Sequence, residues 1–232
     1  MTKYELKMYI KRIPLVKAVF DRVKAKGRKE GLEARRALLQ SEGTSVTRII
    51  EETLSGENVE FCIYYGSLLG LIRAGKFMDF DDDVDYAIRI TEEFSWEDLE
   101  RVLGAKGFVK AKQFTLDGVI TEQTYKWDGL NVDFFGYDRD QEHSYMNDYF
   151  RKEGFIYHSS TEYHVSRMKM YPFDGVEVME LGGGSYHVPR EPEKVLASIY
   201  KETWRIPDPN WVPELGPAWN EVPGKLAQVE YL

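Results

Sequence analysis

Residues 59–90 read VEFCIYYGSLLGLIRAGKFMDFDDDVDYAIRI. Val59 to Tyr65 is an apolar run of β-branched and aromatic residues, which predicts a buried strand. Gly66-Ser67 interrupts it, and Leu68, Leu69, Leu71 and Ile72 with Arg73 predict a short helix ending near Gly75. Asp81, Asp82, Asp83 and Asp85 then lead into Tyr86-Ala87-Ile88. Side chains alternate along a strand, so Asp81, Asp83 and Asp85 share one face while Asp82, Val84 and Tyr86 take the other. Where the helix starts, at Gly66-Ser67, free backbone N–H groups suit phosphate oxygens. The carboxylates are hard oxygen ligands for Mg²⁺, which bridges to the same phosphate.

An isolated run of aspartates usually marks solvated surface. Here four like charges within five residues repel unless a cation or water screens them, and they pass into an apolar strand rather than a turn. An EF-hand calcium loop would need its central glycine and closing glutamate, and both are missing. A metal-held phosphate fits the context better than either.

The chain has 232 residues and an ordinary globular composition, enough to bury a sizeable core. No run of 18 apolar residues suggests a membrane span, the N-terminus lacks an apolar leader, and the single cysteine, Cys62, sits inside the predicted strand as a small core residue. These features predict a cytoplasmic protein. Residues 1–36 carry a net charge of +8 and the remainder −16. A basic helical arm over residues 1–40, interrupted at Pro14, is therefore expected ahead of a catalytic domain over 41–232. Within the arm Tyr9, Ile10, Ile13, Val16, Phe20 and Val23 form an apolar stripe amid Lys11, Arg12, Lys17, Arg22 and Lys24. Such a helix can lie on the inner face of an anionic membrane or pack on its own domain. The acidic body argues against nucleic acid.

A second helix is expected from Ser45 to Leu54, a capped one from Ser95 with Trp96, Leu99, Val102 and Leu103 inward, and another over Pro192–Tyr200. Between them Phe108–Phe114, Val119–Trp127 and Leu130–Phe135 read as strands. Asp117-Gly118 and Asp128-Gly129 supply the hairpin turns. Val176-Glu177-Val178 is a further short strand, Gly182-Gly183-Gly184 a turn, and the Pro- and Trp-rich tail from Ile206 an irregular wrap. The mixture predicts an α+β fold with a mixed sheet flanked by helices. Asp133, alone among apolar neighbours in Leu130–Phe135, is costly to bury unless paired or on a metal, so it joins Asp83 and Asp85 as the third carboxylate. His143, His158, His164 and His187 lack zinc-site spacing.

The string Tyr65-Gly66-Ser67-Leu68-Leu69-Gly70, then Arg73, Gly75-Lys76-Phe77 and Asp81-Asp82-Asp83-Val84-Asp85, resembles the signature of the LicD/fukutin-related family of the nucleotidyltransferase-like superfamily. Asn131-Val132-Asp133-Phe134-Phe135 is similar to that family's later strand, and the resemblance spans roughly residues 60–205. It departs at Asp79-Phe80, where the family often carries Pro-Trp, and Asp79 is expected to add charge near the site. The resemblance implies a nucleotidyltransferase-like core and transfer of a phospho-alcohol from CDP-choline, CDP-ribitol or CDP-glycerol to a hydroxyl of a glycan or glycolipid, releasing CMP. It implies that Asp83, Asp85 and Asp133 hold Mg²⁺ (or Mn²⁺) and carry catalysis, Asp133 also accepting the proton of the attacking hydroxyl. Gly66 and Ser67 would bind donor phosphate. Arg73 and Lys76 would face anionic oxygens, with a salt bridge from Arg73 to Asp81 or Asp82 as the alternative. Asp81 and Asp82 would support substrate binding. Two other functions compete: nucleotidyl transfer of NMP from an NTP, and a non-catalytic glycan- or lipid-binding protein.

Overall fold

The computed structural model describes residues 14–232, with side chains at 27 and from 29 onward. The first described element, α1 (Pro14–Leu54), is one uninterrupted helix of 41 residues. The break expected between an arm ending near residue 40 and a helix starting at Ser45 is absent. Leu39, Val46, Ile50 and Leu54 recur on one face and are buried, so tertiary packing carries the helix through Gly43-Thr44. The apolar stripe from Tyr9 to Val23 lies outside the described side chains.

Strand β1 (Phe61–Ile63) is shorter than the apolar run around it, because the chain turns into α2 (Tyr65–Ala74) already at Tyr65. Gly75, at φ 65°, ends α2 in the left-handed conformation glycine favours. Strand β2 (Asp83–Arg89) starts at the third aspartate and leads to α3 (Trp96–Gly104), whose Ser95 hydroxyl accepts a hydrogen bond from the Asp98 N–H as the capping pattern predicts. Then come β3 (Val109–Leu116), β4 (Val119–Trp127) and β5 (Leu130–Arg139). The Asp-Gly pairs between them hold positive φ at both residues, as two-residue hairpins of this type require.

Three strands were not read from the sequence: β6 (Ser144–Phe150), β9 (Gly184–Pro189) and the terminal β10 (Glu221–Tyr231). Between β6 and β10 lie β7 (Glu162–Met170), the hairpin of β8 (Val176–Leu181) with β9, and α4 (Pro192–Tyr200). The sheet order is β1-β2-β5-β4-β3-β10-β7-β6, and β6 pairs back onto β5. An α+β fold is therefore present, but the expected mixed sheet curls into a barrel-like ring of six strands, with β1 and β2 carried on the outside of β5. Part of the predicted irregular wrap is thus the strand that closes the ring. Among the described residues no helix is long and apolar enough to cross a membrane.

The parallel pairing of β2 with β5 positions the site. Val84, Tyr86, Val132 and Phe134 are fully buried and pack into the core that α1 and α2 cover. Burying such side chains contributes about 1.5–3 kcal/mol each, which fixes the register. Asp85 then lies opposite Asp133, and Asp83 opposite Asn131.

Candidate active site

The face of β2 and β5 away from that core carries Asp83, Asp85 and Asp133. Their carboxylate oxygens lie within 4.8 Å of one another. Burial pushes the Asp83 carboxyl up to about 8, with the charges of Asp133, Asp82 and Asp81 adding to it and Lys112 opposing. Burial likewise raises Asp85 well above the carboxylate range, reinforced by Asp83 and Asp133. Asp133 is raised by burial against the pull of Lys112 and of a hydrogen bond donated by the Thr124 hydroxyl. Three hard oxygen ligands whose charges repel in a half-dry setting fit a divalent Mg²⁺ or Mn²⁺.

The start of α2 is tied to this cluster. The Ser67 hydroxyl accepts the Asp85 N–H at 3.0 Å, and the Ser67 backbone N–H opposes the rise of the Asp85 carboxyl. Ser67 is fully buried, so it acts by holding Asp85; direct contact with donor phosphate, expected from the sequence, is corrected. Gly66 makes room for Asp81, since a Cβ there would stand 2.7 Å from Asp81 Oδ2. That oxygen is buried without a hydrogen-bond partner, and the Asp81 carboxyl is raised to about 6 by burial and by Asp82, with Arg36 and Arg73 pulling it back.

The remaining expected site residues part ways. Asp82 is bound by Arg35 of α1 through two guanidinium nitrogens, at 2.7 and 2.6 Å, so it anchors the aspartate loop to the helix. Arg73 makes neither of the alternative salt bridges; its guanidinium meets the Trp204 carbonyl at 3.4 Å and the Met78 sulfur. Lys76 pairs with Asp79 at 2.6 Å on the exposed surface and does not line the cleft, which corrects both its expected role and the expectation that Asp79 charges the site. Phe80 does line the cleft.

That cleft, of about 710 Å³, opens beside Asp81 and Asp85. Its walls hold Arg36, Gly66 and Arg73 together with Tyr200 at the end of α4 and Lys201, Trp204 and Trp211 from the segment after it. Sequence reasoning missed Thr124, Lys112, Arg36 and this aromatic wall. His187 lies outside this cleft and is held by Glu51 through its ring Nδ1 at 2.5 Å and its backbone N–H at 3.2 Å.

The arrangement suits a transferase that works on phosphate: clustered carboxylates, a helix start behind them, and arginines at the rim. Residues 58–180 match the family model for the LicD/FKTN/FKRP nucleotidyltransferase domain, and the chain belongs to that family. The family gives it a phosphotransferase-type role. No curated protein matches the chain.

Proposed function

We propose that the protein transfers a phospho-alcohol from a CDP-activated donor, of the choline, glycerol or ribitol type, to a hydroxyl of a glycan or glycolipid. The observation that carries this reading is the meeting of Asp83, Asp85 and Asp133 inside the family-matched segment. A divalent cation held by these three would neutralise charge on the phosphoryl oxygens. Asp133 accepts the proton of the attacking hydroxyl, Thr124 orienting its carboxyl. The hydroxyl oxygen bonds to the phosphorus that bears the alcohol, the P–O bond to CMP breaks, and CMP departs with the electron pair. Arg73, at the cleft, faces the phosphate oxygens with a fork suited to them. The nucleotidyltransferase-like core, the peripheral membrane contact of residues 1–36 and a site at the cytoplasmic face belong to the same proposal.

A thermal-shift panel of CDP-choline, CDP-glycerol, CDP-ribitol, CTP, ATP and UTP, each with and without Mg²⁺, tests donor choice, since a ligand of the native state raises Tm by mass action. A metal-dependent rise with one CDP-alcohol is expected. A rise with a nucleoside triphosphate alone would favour nucleotidyl transfer, and no rise at all a non-catalytic binding protein.

A further inference from the structure

The family-matched segment ends well short of the cleft's full wall. Arg36 lies before it, on α1, yet its side chain lines the cleft beside Asp81 and Asp85. The cations around the aspartate loop divide by their partners. Arg35 is engaged by Asp82 and Lys76 by Asp79. Arg36 uses only Nε, donated to the Phe80 carbonyl at 2.8 Å, and it has no carboxylate partner within ion-pair distance among the described residues. An arginine carries five N–H donors in a rigid fork. The bond to Phe80 therefore fixes the guanidinium in place while leaving its two terminal nitrogens for another acceptor.

The cleft lining points the same way. Arg36 and Arg73 both line the cleft together with Asp81, whose Oδ2 is buried with no hydrogen-bond partner. The cleft lining carries Arg36, Arg73 and Lys201 with Asp81, Asp85 and Asp208, and Asp83 and Asp133 lie beside Asp85. An anion bound in the cleft meets both arginines and, on the proposed reading, would lie next to the carboxylates that would hold the cation. We infer that Arg36 is a phosphate-binding residue of this site, supplied by the helix outside the family domain, which with Arg73 grips the diphosphate of the substrate. The inference rests on the phosphotransferase reading for the identity of that diphosphate.

Calorimetric titration of the full chain with Mn²⁺ alone, and then with inorganic pyrophosphate in the presence of Mn²⁺, tests it. Arg36→Met is expected to leave Mn²⁺ affinity within twofold and to weaken pyrophosphate tenfold or more. Arg36→Lys, which keeps the charge and loses the fork, is expected to fall between. Equal loss of Mn²⁺ and pyrophosphate binding would mean that Arg36 merely braces the loop through Phe80, and would overturn the assignment. So would unchanged pyrophosphate affinity in Arg36→Met, or a wild-type chain that binds no pyrophosphate. Pyrophosphate binding without any response to a CDP-alcohol would count against the donor reading alone and leave Arg36 in place.

Discussion

Asp83→Asn separates what the carboxylate cluster costs the fold from what it does for a ligand. With acidic oxygens within 4.8 Å, one pair of full charges repels by about 3 kcal/mol at an effective dielectric near 20. Asp83 is half-buried and, its carboxyl lying at about 8, is mostly protonated at neutral pH, which relieves much of that repulsion. A realised cost of about 1–2 kcal/mol is therefore the working figure. Removing the charge while keeping the shape should return that amount. For a chain of this size it raises Tm by about 2–8 °C. In wild type, Mn²⁺ at about 100 times its Kd adds roughly 2.7 kcal/mol, and Asp83→Asn should lose most of that gain. The assay is differential scanning fluorimetry in EDTA and again in Mn²⁺. A variant that melts at or below wild type in EDTA, and keeps the full Mn²⁺ shift, would refute the idea of a repelling, metal-seeking cluster.

Three further outcomes are expected. Burial pushes the Asp148 carboxyl up to about 6, the nearby Glu214 adding to it and the Tyr149 N–H opposing; the native state then binds the proton more tightly than the unfolded chain, so stability falls as pH rises from about 4 through 6. Asp148→Asn should remove that part of the slope and gain about 1–3 kcal/mol at pH 7; urea melts at four pH values that show the same slope as wild type would contradict it. Gly66→Ala crowds Asp81 Oδ2 without backbone strain, so turnover should drop while Tm holds or rises slightly, as alanine favours a helix by about 0.5–1 kcal/mol; an equal fall in both would show a folding defect. Glu51 is buried and accepts from the Tyr86 hydroxyl at 3.1 Å as well as from His187. Glu51→Ala should cost about 2–3 kcal/mol, or roughly 4–12 °C in Tm, and a change under 1 °C would show the network to be dispensable.

Much of the site was legible because strand periodicity and hairpin chemistry are local. Asp128-Gly129 marks a two-residue turn that pairs Trp127 with Leu130, and counting back from it puts Thr124 opposite Asp133, as found. That partner could have been read from the sequence. Lys112 could not, because irregularities in the β3–β4 pairing, between Lys110 and Lys112 and between Phe114 and Thr115, shift the register. Strand β10 was hidden by Pro223-Gly224, which break the strand pattern and sit in the irregular stretch between Glu221 and Leu226. The continuity of α1 depended on packing rather than propensity: Gly43 and Thr44 look like a break, yet a Cβ on Gly43 would stand 2.8 Å from the Phe77 ring, so the glycine serves close packing. The arginines of α1 reach the aspartate loop across more than 40 positions of sequence, a distance no local pattern spans.

The central claim concerns which bond is made and which group leaves. The purified chain, with Mg²⁺, a single CDP-alcohol at a time and a panel of oligosaccharides, can be followed by phosphorus NMR. The account predicts CMP together with a new phosphodiester on a sugar, and neither product with Asp83→Ala. A nucleoside monophosphate attached to the acceptor, with pyrophosphate released from an NTP, would contradict it.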